Sequence, residues 1–208
     1  MRRSVNEWFG NYSSATPLVT ASALLVQQRA KVALGGVMLP RELRSYLAAT
    51  GTPQAPDPRT IGPLPNMFAA ITRINEADVG ITAQVGGSLA TASVTNHGPS
   101  RARDLVVDVD IFSNSVVGLT RVDNTQAVCV GRAPPPGAQC AGQCSYIRCT
   151  YPALMAGPGP LTWACSGSYG TPSLTLSASV VSGSHTDPVS ANNAATQSAA
   201  LSCGGVGL

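Results

Sequence analysis

Six cysteines, at positions 129, 140, 144, 149, 165 and 203, are the side chains of this 208-residue chain best suited to do chemistry. A thiol can ligate a metal, attack as a nucleophile or pair as a disulfide. Cys140, Cys144 and Cys149 are spaced within metal-ligand range. No C-x-x-C pair or nearby histidine completes a four-ligand set, so zinc is not expected. An even number confined to one part of the chain suits disulfides, with many pairings open to six cysteines. Disulfides would mean that the protein matures or works in an oxidising place.

The remaining candidates for chemistry are sparse. His97 and His185, the two histidines, both fall in expected turns, where a solvated ring is the ordinary outcome. Many serines are present, but none sits in a G-x-S-x-G elbow that would make it a nucleophile. Asp108 and Asp110 share one face of an expected strand, with Asp104 close by. Paired carboxylates can serve acid–base or glycoside chemistry, yet the polar outer face of a half-buried strand accounts for them with less. Asp187, Asn192 and Asn193 offer oxygen ligands for calcium, and turn chemistry alone explains the same residues. Phosphate loops, dinucleotide fingerprints and aromatic–basic nucleic-acid platforms are absent. The expectation is a protein that is not an enzyme, with no cofactor, no metal and no nucleic-acid partner.

Charged residues make up only 11% of the chain, whereas glycine and proline number 21 and 16, the balance of a loop-rich β-protein. The charge is uneven. Residues 1–75 carry +5 and residues 76–208 carry −2, which together give the net +3. A basic amino-terminal part can steer an acidic partner surface, although solvated helix faces would show the same excess.

The amino-terminal part reads as helical. Arg2, Arg3 and the apolar run Ala15–Val26 have the outline of a secretory signal, but Glu7, Trp8 and Phe9 interrupt it. The small-residue site Ala21–Ala23 falls inside the run rather than after it. Gln27, Gln28, Arg29 and Lys31 break the stretch before it could span a membrane. Thr16 then caps a helix with Pro17 at its first position, and Gly35 and Gly36 end it. Its first half is apolar nearly all round and wants burial on more than one side. A second helix is expected from Pro40 to Ala49 with Leu43, Tyr46 and Leu47 on its apolar face and Gly51 as the stop. Five prolines between Gly51 and Pro65 predict an extended connector. Asn66 caps a last short helix with Met67, Phe68, Ile71 and Ile74 facing inward. Roughly sixty residues is marginal for an independent core, so these helices either pack on the following domain or dock into a neighbouring subunit. The candidate docking residues are Leu18, Val19, Leu25, Val26, Leu43 and Tyr46.

From Ala77 onward the apolar period changes to two: Val79, Ile81, Ala83, Val85; Leu89, Ala92, Val94; Leu105, Val107, Val109, Ile111; Leu161, Trp163, Cys165; Leu174, Leu176, Ala178, Val180. A last strand lies near Ala194–Leu201. Strands separated by turn clusters predict a sandwich of about seven strands, with Trp163 as its central aromatic.

The turns carry a resemblance. VTNHGPS at Val94–Ser100 and TDPVSANNAAT at Thr186–Thr196, with Ala77-Asp78-Val79 before the first strand and Leu105-Val106-Val107-Asp108 after Ala102, resemble the immunoglobulin-like repeat of bacterial and archaeal surface proteins. That family is known as domain of unknown function number eleven. The resemblance covers about residues 76–203; only Ala133–Cys144 is longer and richer in cysteine than the usual repeat. It implies an immunoglobulin-like antiparallel β-sandwich over residues 76–208, and the helical and Pro-rich residues 1–75 before it read from their own pattern as an anchoring arm. It also implies a disulfide between Cys129 and Cys149, because the family often places a cysteine in each of two neighbouring strands here. Cys140 with Cys144 could close a small loop, and Cys165 could tie to Cys203 near the end.

Such a scaffold carries no chemistry of its own. The expectation is a structural protein of a larger assembly, foremost a phage virion component such as a capsid decoration or a tail- or fibre-associated protein. Its arm docks to neighbouring protein subunits, a second copy among them, and its sandwich is displayed at the virion surface or extracellularly. The alternative is a secreted or cell-envelope bacterial protein for adhesion or scaffolding.

Overall fold

A computed structural model describes residues 12–56, 62–138, 140, 142–167 and 171–203. The chain divides into two compact units, Met1–Asn75 and Glu76–Leu208.

The first unit holds three helices, α1 (Tyr12–Ala33), α2 (Pro40–Thr50) and α3 (Met67–Thr72). It has a core of its own. Val26, Ala30 and Leu34 from α1 and its end meet Met38, Tyr46, Ala70 and Ile74. The Tyr46 hydroxyl donates to the Ala70 carbonyl at 2.6 Å and ties α2 to α3. Gln27 closes the α1–α2 turn, donating to the Met38 carbonyl and accepting from its N–H, both at 2.8 Å. Pro40 opens α2, and the Glu42 carboxylate accepts from the Leu39 N–H at 3.2 Å, satisfying an amide that the helix leaves without a partner.

Four expectations need correction here. The first helix is already helical at Tyr12, so Pro17 lies inside it and Thr16 is not its cap. The Pro-rich connector is not a simple extended strap: Thr52 and Leu64 exchange two backbone bonds of 2.8 and 2.9 Å, and residues 57–61 of the expected connector lie outside the described residues. Phe68 and Ile71 are exposed. In α3, Asn66 does cap, accepting from the Ala69 N–H at 3.1 Å, but at 100° per residue Ala70 and Ile74 take the inner face and leave those two outside. Finally, Val26, Leu43 and Tyr46 pack inside the unit, so they are not a docking surface.

The second unit contains nine strands among its described residues: β1 (Ala77–Gly86), β2 (Leu89–Pro99), β3 (Ala102–Ser113), β4 (Gly118–Arg121), β5 (Val128–Gly131), β6 (Gln143–Leu154), β7 (Gly157–Ser166), β8 (Ser173–Ser182) and β9 (Ala194–Ala200). Every ladder is antiparallel. One sheet runs β1-β2-β7-β4 and the other β5-β6-β3-β8-β9. Alternate residues point inward, so Val79, Ile81, Ala92, Val94, Leu161 and Trp163 of one sheet join Leu105, Val107, Val109, Ile111, Tyr151 and Leu176 of the other in a single core. Each such fully buried aliphatic side chain stabilises by about 1.5–3 kcal/mol before chain entropy is counted. Nine strands exceed the expected seven or so, and three of them lie outside the runs that alternation located. β4 and β5 are four-residue edges too short to show alternation, and β6 hides its inner residues, Ile147, Cys149 and Tyr151, among cysteines and an arginine.

The motif turns are built from buried polar bonds. Asn96 is buried and donates to the carbonyls of Ser100 and Leu154 at 2.8 Å each, while its own carbonyl accepts from Gly98 N–H at 2.8 Å. Gly98 holds φ +88°, where a side chain would be strained. Asp187 accepts from the N–H groups of Val79 (3.2 Å) and Val189 (3.0 Å), and Asn192 donates to Asp78 at 2.8 Å. The family-like residues at the two ends therefore hold β1 to the β8–β9 connection.

Candidate functional site

Two exposed surfaces, one on each unit, concentrate residues that do more than fill a core. The first is the outer face of the five-stranded sheet. Asp108 and Asp110 alternate outward on β3, opposite Arg148 and Tyr146 of β6. Arg148 donates to both Asp108 oxygens, at 2.7 and 2.9 Å. Arg132, just past β5, donates to Asp110, lies 3.3 Å from Asp108, and holds its guanidinium 5.5 Å from the Tyr146 ring centre. Phe112 meets Tyr146 edge-on, with ring centres 5.8 Å apart. The hydrogen bond from Arg148 draws the Asp108 carboxyl below its ordinary range against the opposing effect of burial. Burial pushes that of Asp110 up, with Arg132 opposing. Both carboxylates are engaged by guanidiniums, as a polar outer strand face requires.

Hydroxyls continue that face across β8 and β9, where Thr175 and Ser198 sit 2.7 Å apart and Ser177 and Thr196 2.9 Å apart. A shallow groove of about 310 Å³ opens beside Phe112, Asn114, Cys140, Cys144, Ser173 and Thr175. Gly142 on its rim admits no side chain, because a Cβ there would fall 2.2 Å from the Ser113 carbonyl oxygen.

All six cysteines are paired: Cys129–Cys149, Cys140–Cys144 and Cys165–Cys203. The first joins directly opposed residues of β5 and β6, with Cα atoms 4.0 Å apart. The second closes a small loop at the start of β6, and the third ties β7 to the chain just beyond β9. Of the turn residues weighed for calcium, Asp187 accepts from two backbone amides and Asn192 donates to Asp78, while the Asn193 Oδ1 is buried without a hydrogen-bond partner among the described residues. Among the described residues, no group of three or more His, Cys, Asp or Glu side chains is arranged to hold a metal ion. His97 is exposed, and His185 is half-buried, its pKa lowered by that burial against the nearby charge of Asp187.

The second surface is the outward side of α1. Its buried side chains, Ser22, Val26, Ala30 and Leu34, turn toward α2 and α3. On the opposite side Leu18, Leu25 and Val32 are 64%, 49% and 75% exposed, with Leu24 beside them. Of the six docking candidates, the structure thus keeps Leu18, Val19 and Leu25 at the surface. Val32 and Leu24 were missed, because helix periodicity alone does not say which of two apolar faces a core will claim. No described helix is long and apolar enough to cross a membrane.

Two antiparallel sheets, closed face to face over Trp163 and held by the paired turns, decide the fold. The strand unit is an immunoglobulin-like β-sandwich. Solved structures with a distant likeness include the CARDB domain of the PF1109 protein from Pyrococcus furiosus, determined with di-metal ions, which is 16% identical, matches 62% of this chain and 91% of its own, and has a TM-score of 0.35. A cohesin module from a Clostridium perfringens family 33 glycoside hydrolase is 9% identical over 62% of this chain and 98% of its own, with a TM-score of 0.31. Both likenesses are distant, and the reading of the fold rests on the two sheets themselves. No family profile matches the chain, and no curated protein matches it significantly. The resemblance to the surface-repeat family is carried no further than the two-sheet fold. Three disulfides bespeak an oxidising environment for this immunoglobulin-like unit.

Proposed function

We propose that the protein is a non-enzymatic structural component of a larger extracellular assembly. In this reading the helical unit docks to a neighbouring protein subunit and the disulfide-stapled sandwich is displayed. The observation that carries it is the row Leu18, Leu25 and Val32, apolar side chains left uncovered on a helix whose other side already has a core. Exposed apolar surface of that kind marks an interaction site more often than an accident of composition. The assembly we favour is a phage virion, with the protein as a capsid decoration or tail- or fibre-associated component, because one docking unit followed by one sandwich suits attachment and display.

The test is incorporation. In the organism that makes the particles, the full chain and a Leu18→Glu, Leu25→Glu, Val32→Glu variant are each tagged and followed through gradient purification. The variant is expected to leave the particle fraction while remaining folded by circular dichroism; undiminished incorporation would overturn the docking reading. The disulfides also support a secreted or cell-envelope adhesion or scaffold protein. Finding the chain in envelope fractions, with a mature start well past Met1 by mass spectrometry, would favour that reading.

A further inference from the structure

The uncovered side of α1 has a spacing of its own. Leu18, Leu25 and Val32 are seven residues apart, and Ala21 and Gln28 fall between them at the alternate three-and-four steps. All five are exposed. This is the a/d pattern by which one helix receives another, and it runs about 21 Å at 1.5 Å per residue. Its two borders are cationic: Arg29 lies on one flank and Lys31 on the other, both exposed. The helix contains no Asp or Glu along its whole length, Tyr12–Ala33. Elsewhere in the unit, the described carboxylate is that of Glu42, which binds the Leu39 amide.

Given the docking reading above, on which this rests, we propose that the occupant is an amphipathic helix of a different protein whose apolar seam is bordered by acidic side chains opposite Arg29 and Lys31. A second copy of α1 could fill the seam but brings no carboxylate to either flank. A bilayer would take a wider apolar face without a polar residue at its centre, where this seam has Gln28. Within a helix pair, a single polar seam residue sets register, and the flanking charges set partner choice.

The probe is a synthetic helical peptide of about three heptads, with Leu along the seam and Glu on both flanks, compared with a Lys-flanked twin by fluorescence anisotropy against the full chain. The Glu-flanked peptide is expected to bind at least about tenfold more tightly, a gap that shrinks as salt screens the flanks. Arg29→Glu with Lys31→Glu should invert the preference, and Leu25→Glu should abolish both interactions while circular dichroism stays unchanged. Equal binding of the two peptides, or binding indifferent to Leu25→Glu, would overturn the proposal. So would dimers of the full chain that Leu25→Glu dissolves, or adhesion to phosphatidylserine vesicles that the same change removes. If reversing the two charges leaves incorporation into particles intact while the triple Glu variant loses it, the acidic-helix proposal fails and the docking reading survives.

Discussion

Asp123, between β4 and β5, ties the β4–β5 connection to β4 and β7, and no motif pointed to it. Its side chain is 3% exposed and accepts from Arg121, from the Thr162 N–H at 2.9 Å and from Thr125. Burial works to raise its pKa, but those donors overcome it and hold the carboxyl well below the ordinary carboxylate range. A folded-state pKa below the unfolded value of about 3.9 means stability that is present above that pH and lost as pH falls through the folded pKa. Asp123→Asn is therefore expected to cost about 2 kcal/mol at pH 7 and to flatten the decline below about pH 4. Urea unfolding at pH 7 and pH 3.5 checks this, and an equal acid loss in both proteins would clear Asp123 of the role. The sequence drew attention instead to Asp108 and Asp110, because a strand face is visible in alternation. A bond to Thr162, 39 residues downstream, is not.

At the scale of elements, the disulfides differ in what they constrain. Cys165–Cys203 spans 38 residues and Cys140–Cys144 only 4. On the loop-entropy account the first is worth about 4 kcal/mol and the second about 2 kcal/mol. Replacing each pair by Ala and measuring denaturant midpoints should return that order; a larger loss from the Cys140–Cys144 pair would mean that its loop, not chain entropy, holds the start of β6. Two of the three helices were legible from caps and stops: Pro40 opens α2, Gly51 follows its end, and Asn66 caps α3. The inward faces were less so. Phe68 is more apolar than Ala70, yet Ala70 is buried and Phe68 exposed, because Ala70 lies on the side of α3 that the Tyr46 hydroxyl ties to α2. The short edges β4 and β5 escaped notice because four residues hold too few alternations to stand out.

For the whole molecule, the division at Asn75 and Glu76 makes a separable prediction. Residues 76–208 enclose the larger core, including Trp163, the lone tryptophan of that segment. Expressed alone, they are expected to unfold cooperatively by Trp163 fluorescence, with a midpoint within about 5 °C of the same transition in the full chain. A shift well beyond that would show that the helical unit supports the sandwich. Residues 1–75 alone are expected to be marginal, since a core of seven buried apolar side chains is small.

By itself the sequence determined the kinds of structure present: a helical segment followed by a period-two β-segment, the turns that bracket it, and an even set of cysteines suited to oxidation. These are local properties, written in φ preferences and in spacing along the chain. Which apolar residues meet, however, depends on partners far away in sequence. Only the tertiary structure decided that Val26 and Tyr46 go inside while Leu18 and Leu25 stay out, and that Thr52 pairs with Leu64 across the Pro-rich segment. Burial is a competition among all the faces a chain offers, and its outcome is settled by packing volume and shared hydrogen bonds rather than by the hydrophobicity of any one residue.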